Sequence, residues 1–167
     1  MKNEAPAPVA IRSYGPEDRE PLRKLVLDLH ETIRPLDEDL APGETIIDTY
    51  FEHLLALQSR THGAVFVAER DGRLVGYVCL FGRVKPEDPD EIDRPHSYLA
   101  DLYVRPDLRR SGVGARLLEK AEEFARELGV GRIDLQVAAA NREAHRFYRR
   151  HGYTDRVIVM SKRLTPA

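Results

Sequence analysis

An α/β fold, with a mixed sheet and flanking helices, is predicted by three observations. Segments of strand and helix periodicity alternate along all 167 residues, without repeats or low-complexity blocks. Asp71-Gly72 sits between two apolar runs, Ala64–Ala68 and Leu74–Phe81, and is a strong two-residue hairpin turn. Tyr98–Val104 reads as a strand that feeds a glycine-bearing turn, a helix and a further strand over 132–137. The length suits one domain over residues 9–167 with a single core that needs no staples.

The elements follow in order. Residues 1–8 read as a disordered or extended tail, and residues 9–14 as a first strand. Pro16-Glu-Asp-Arg opens a helix with Leu22, Leu25, Val26 and Leu29 on one face. Pro35–Gly43 is a loop and Glu44–Gln58 a second helix, followed by the hairpin strands. A loop over 84–96 with three prolines precedes the strand 98–104. The helix after the glycine turn places Val113, Leu117, Leu118, Ala121, Phe124, Ala125 and Leu128 at helical spacing, and Gly129 stops it. A helix beginning near Arg142 and a last strand, Arg156–Met160, complete the order β-α-α-β-β-β-α-β-α-β.

The glycine turn carries the functional signal. A helix beginning at Gly112-Val-Gly114 offers unpaired N–H groups, the positive end of a helix dipole and room for close approach. Arg105, Arg109, Arg110 and Arg116 surround it with cations. A phosphate or pyrophosphate seat is one reading, and a plain surface helix starting at Ser-Gly is the other. The nucleotide P-loop is excluded, because Ala115-Arg116 follows Gly114 where Lys-Ser/Thr is needed. The dinucleotide fingerprint is excluded as well: only Gly112 and Gly114 fit, and strand 132–137 ends in Val137-Ala138 rather than in an acid.

What fits is R-x-x-G-x-G at Arg109, Gly112 and Gly114, and this resembles the pyrophosphate segment of the GNAT superfamily (Gcn5-related N-acetyltransferases). Further on, Asn141, Ala144, Phe147-Tyr148 and Gly152-Tyr153 match the second half of that family's core. The resemblance covers residues 97–163. It implies a mostly antiparallel sheet with one splayed parallel pair, β4 and β5, and an acetyl-CoA co-substrate whose pantetheine arm enters the gap between them. It further implies that the backbone of Leu102 and Val104 binds the arm, that Arg109, Arg110, Ser111, Gly112, Val113 and Gly114 surround the pyrophosphate, and that Asn141 touches the arm. Ser111 stands where the family often has glycine. Asn141 equally suits the cap of the following helix.

The implied activity is N-acetyl transfer to an amine by direct attack in a ternary complex, with no metal. Tyr148 matches the family's usual general acid, which protonates the leaving thiolate; the alternative is a core tyrosine beside Phe147. An ammonium acceptor must first lose a proton. Asp101 is the candidate base. It stands where some relatives carry the second acid of a Glu-Asp pair, with Ala100 in the first place, and its alternatives are action through water, orientation of the amine or a structural hydrogen bond. His30 with Glu31 is the rival. The N–H of Leu102 or Val104 suits the developing oxyanion. A non-catalytic acyl-CoA-binding domain is the alternative to an enzyme.

Composition narrows the partners. A net charge of −2 argues against general nucleic-acid affinity. One cysteine, Cys79, inside an apolar run, excludes a disulfide framework and a cysteine-rich metal site. The remaining histidines show no ligand spacing. No apolar run approaches a membrane span, and the start carries no signal core, so a cytoplasmic location is expected. Seven acids stand between Glu31 and Glu52 against one base, Arg34, and Glu87, Asp88, Asp90, Glu91 and Asp93 follow in the proline loop. Residues 142–151 are basic, with Arg142, Arg146, Arg149 and Arg150. An acidic rim that steers a cationic small-molecule or peptide amine is one reading, and ordinary solvated surface is the other. Homodimerisation through Arg156–Met160 is what the family resemblance allows.

Overall fold

In the computed structural model, which describes residues 8–86 and 89–164, a five-stranded sheet runs in the order β1-β2-β3-β4-β5. Its strands are β1 (Ala10–Ser13), β2 (Ala64–Arg70), β3 (Arg73–Val84), β4 (His96–Val104) and β5 (Ile133–Asp134). The first three junctions are antiparallel and β4–β5 is parallel. The helices are α1 (Arg19–Ile33), α2 (Gly43–Arg60), α3 (Val113–Glu127) and α4 (Arg142–Arg150). The chain forms two compact units, residues 1–136 and 137–167.

In the first unit β3 is apolar along most of its length because both of its faces are covered. On one face Tyr77 and Cys79 join Val65, Val67 and Tyr103 against Leu22, Leu25 and Val26 of α1 and Ile47, Phe51 and Leu54 of α2. On the other face lies α3, with Leu117, Leu118 and Ala121 buried and Phe124 edge-on to Phe66 at 5.9 Å. The strand period of two supplies each face with alternate residues. Arg12 ties β1 to the chain around it: its guanidinium donates to Asp18 at 2.6 and 2.8 Å and to Glu69 at 2.5 and 2.8 Å. This holds the Asp18 carboxyl below the usual range.

One irregularity in β4 positions the site. The register passes from Cys79↔Asp101 to Leu80↔Leu99, so Ala100 is an extra residue on β4, a bulge. The parallel ladder with β5 joins only Ser97 to Ile133 and Tyr98 to Asp134, and it ends at the bulge. The strand expected over 132–137 is therefore cut to two residues, because beyond Tyr98 β4 offers it no continuing register.

The second unit holds α4 and the chain after it. Asn141 caps α4, its side-chain oxygen accepting the Ala144 N–H at 3.1 Å. Asp155 accepts from Arg149 at 2.6 Å and meets His145 Nε2 at 2.8 Å, which folds the following chain back on the helix. The last strand expected at Arg156–Met160 does not form. A strand needs a ladder partner, and this unit contains none among its described residues; Val157, Ile158, Val159 and Met160 are exposed. Residues 1–7 of the expected tail, with Glu87 and Asp88 of the acidic loop, lie outside the described residues.

Candidate active site

The glycine turn joins a short 3₁₀ turn, two left-handed residues and a helix start. Pro106–Leu108 makes a short 3₁₀ turn, and Ser111 Oγ donates to the Leu108 carbonyl at 2.6 Å, closing the loop onto itself. Arg110 and Gly112 both take positive φ, +60° and +86°, alternating with ordinary residues. Such alternation turns successive N–H groups toward one concavity. Gly112 is the N-cap of α3 and supplies no side-chain cap, and the first turn of the helix carries no acid. Among the described residues the first N–H groups of α3 thus keep their donors for a ligand. Arg110 is exposed there, and left-handed backbone at an arginine is costly, as functional loops commonly are. Arg109 is turned elsewhere: its Nε donates to Val104 O at 3.2 Å, and its guanidinium lies 5.8 Å from the Tyr103 ring. Arg116 reaches the Val9 carbonyl at 2.8 Å.

A Cβ at Gly112 would meet nothing within 4 Å, so backbone conformation alone requires glycine there. Gly112→Ala is expected to cost about 1–2 kcal/mol from the left-handed φ and to weaken acetyl-CoA binding as the loop shifts. Thermal unfolding with and without the ligand measures both effects.

Beside this turn runs a strand edge that beyond Tyr98 has no ladder partner among the described residues, with the Val104 carbonyl accepting the Arg109 side chain. Arg105 N–H donates to Val75 O at 2.9 Å. By the alternation of an antiparallel ladder, Tyr103 and Asp101 also turn their backbone groups toward β3. Leu102 and Val104 therefore face the side that β5 has left, as an extended ligand pairing with β4 requires. Without the bulge at Ala100 the odd-numbered residues would face that edge instead.

Asp101 is 6% exposed, and both of its oxygens are taken: Tyr50 donates to Oδ1 at 3.1 Å and Tyr77 to Oδ2 at 2.9 Å. Burial pushes its carboxyl upward, against the pull of the two hydroxyls and of nearby His30. Burial and the Asp101 charge push both tyrosines far above their ordinary value, so each remains a donor. Cys79, fully buried beside them, is raised as well and remains a thiol.

The rival pair has other duties. Glu31 accepts the Gly43 N–H at 2.6 Å, capping α2, and the Arg34 guanidinium at 3.1 Å. His30 Nε2 lies 2.8 Å from the Ala41 carbonyl. Both fasten the loop between α1 and α2. Part of the expected acidic rim is likewise used between helices, Glu52 pairing with Arg19 and Asp48 with Arg23. Glu31 also lines an open cleft of about 640 Å3 with Asp28, Thr32, Tyr103, Arg105 and Asp107.

Asn141 and Tyr148 belong to the second unit. Tyr148 is half-buried, edge-on to Phe147 at 5.2 Å and to Tyr153 at 5.5 Å. Sequence reading passed over Tyr50, Tyr77 and Tyr103. The available signal was three tyrosines at core positions, whose hydroxyls need partners when buried, together with one acid inside an apolar strand.

The acetyltransferase (GNAT) family model matches residues 26–153. An uncharacterized N-acetyltransferase of Archaeoglobus fulgidus is 33% identical over 132 residues, 78% of this chain and 85% of that protein. Among solved structures, a Pyrococcus furiosus protein assigned as an acetyl transferase superposes with TM-score 0.73 at 27% identity, covering 94% of this chain and 100% of the other. An aminoglycoside N-acetyltransferase in complex with CoA gives TM-score 0.70 at 20% identity over 98% of this chain and 100% of its own, a likeness of fold.

Proposed function

Since this chain belongs to the GNAT family of acetyltransferases, we propose that it transfers the acetyl group of acetyl-CoA to a cationic primary amine, by direct attack, through a single domain spanning residues 9–167. The observation that carries this reading is the uncapped turn at 109–114, with Arg110 exposed on it, lying directly after a strand whose Leu102 and Val104 edge has no ladder partner among the described residues. The turn takes the pyrophosphate on backbone N–H groups and Arg110. The β4 edge takes the extended arm, and the N–H of Leu102 or Val104 stabilises the oxyanion. Asn141 adds a contact to the arm beyond its capping bond.

Deprotonation of the acceptor runs through Tyr50. Both Asp101 oxygens are engaged, so Tyr50 passes its proton to Asp101 as it takes one from the ammonium, leaving a neutral amine to attack. Tyr148 protonates the departing thiolate. Cys79 is buried with a raised pKa, and the reaction needs neither a covalent enzyme intermediate nor a metal.

No helix among the described residues is long and apolar enough to cross a membrane. We assign the protein to the cytoplasm, where a lone thiol stays reduced, and we assign the exposed segment Val157–Met160 to the contact of a homodimer. A thiol-release assay over a panel of amines tests the activity. Turnover is expected on cationic primary amines and is expected to fall as salt rises. Preference for neutral or anionic acceptors contradicts the steering part of the reading, and silence on every amine contradicts the transfer itself.

A further inference from the structure

The cleft between the end of α1 and the end of β4 has chemistry that the transfer step leaves unused. Its lining carries three carboxylates, Asp28, Glu31 and Asp107, against one guanidinium, Arg105. Two of the carboxylates are engaged: Glu31 by the Gly43 N–H and Arg34, and Asp107 by Arg105 at 3.2 Å. Asp28 is exposed, and its carboxylate has no partner among the described residues. At the floor lies Tyr103, only 5% exposed, whose hydroxyl has no hydrogen-bond partner among the described residues. The ring is buried while its hydroxyl opens on the acidic cleft, where its oxygen can accept from an incoming donor. Burial and then the Asp28 charge raise the Tyr103 pKa, so the hydroxyl stays neutral against Arg109 and Arg105 nearby.

Tyr103 and Asp101 lie on the same face of β4, two residues apart, hence roughly 7 Å along the strand. We propose that the cleft seats a second ammonium group, so that the acceptor is a diamine or polyamine whose non-reacting nitrogen rests on Asp28 and the Tyr103 hydroxyl while its other nitrogen reaches the acetyl group. Five bonds of about 1.5 Å in zigzag span about 6 Å, so a chain of four or five carbons between the nitrogens fits best. The identity of the reacting end rests on the acetyl-transfer reading; the ammonium seat itself does not.

Calorimetric titration of the CoA-loaded protein with 1,4-diaminobutane and with butylamine separates the two. The diamine is expected to bind at least roughly tenfold tighter, about 1.4 kcal/mol. Asp28→Asn, an exposed change, removes most of that advantage and leaves butylamine affinity as it was. Tyr103→Phe, which keeps the packing, removes part of it. Turnover on a series of diamines should peak at the four- and five-carbon members. Equal affinity for the two amines, no binding of either, or an advantage that survives Asp28→Asn overturns the proposal. Monoamines acetylated as well as diamines overturn it too, and spare the transfer reading. Asp28-dependent diamine binding without turnover on any amine keeps the seat and overturns the transfer reading.

Discussion

Tyr148→Phe is expected to lower kcat by roughly 10²-fold, with acetyl-CoA affinity unchanged. The substitution removes one oxygen from a half-buried ring whose edge-on contacts with Phe147 and Tyr153 it preserves. A proton donated to the departing thiolate matters only as the carbon–sulfur bond breaks, so its loss falls on kcat rather than on ground-state binding. An acceptor with a more readily attacked, lower-pKa nitrogen does not rescue the variant, because the thiolate still leaves unprotonated. Steady-state kinetics beside calorimetry measure both quantities. If kcat is unchanged, Tyr148 is a packing residue of the second unit; if affinity collapses with kcat, its part is in binding.

The second large effect falls on Asp101. Its carboxyl is raised first by burial, and a proton acceptor works only when ionised. Activity should therefore fall as the pH drops through a value above the ordinary carboxylate pKa of about 3.9. Asp101→Asn keeps an oxygen for one tyrosine hydroxyl but cannot take a proton. Turnover should fall roughly 10²-fold and the acidic limb of the pH–rate profile should vanish. Stability has the opposite sense. A folded carboxyl with a raised pKa contributes most below its unfolded value, and that contribution is lost as pH rises through the folded value. The asparagine variant, which carries no charge to bury, should thus lose less stability than wild type between acid and neutral pH. Unchanged turnover with altered stability would mean that Asp101 only holds Tyr50 and Tyr77 in place.

These two residues mark how far the sequence could be read. The turn at Arg109–Gly114 was legible because its chemistry is local: glycines, arginines and a helix start within six residues of chain. Its left-handed Arg110 was not legible, because arginine gives no signal for positive φ and the loop around it imposes that conformation. The bulge at Ala100 was equally hidden. Register is a property of two strands, and nothing within 96–104 announces which residues of 73–84 stand opposite. The partners of Asp101 lie 24 and 51 positions away, at Tyr77 and Tyr50, so only the folded core shows that both carboxylate oxygens are engaged. Glu31 illustrates the reverse: acidic composition suggested a pocket wall, and its oxygens cap α2 and hold Arg34 while it borders the cleft. The strand expected at Arg156–Met160 rested on β propensity and on the family's element order, neither of which specifies a partner within this chain.

In the proposed mechanism the turn at 109–114 and the open edge of β4 together hold acetyl-CoA. Calorimetric titration of the protein with acetyl-CoA, repeated on Arg110→Ala, tests it most directly. One saturable site is expected on the wild-type protein, weakened in the variant and weakened by added salt as a phosphate contact should be. Absence of binding, or binding indifferent to Arg110 and to salt, would contradict it.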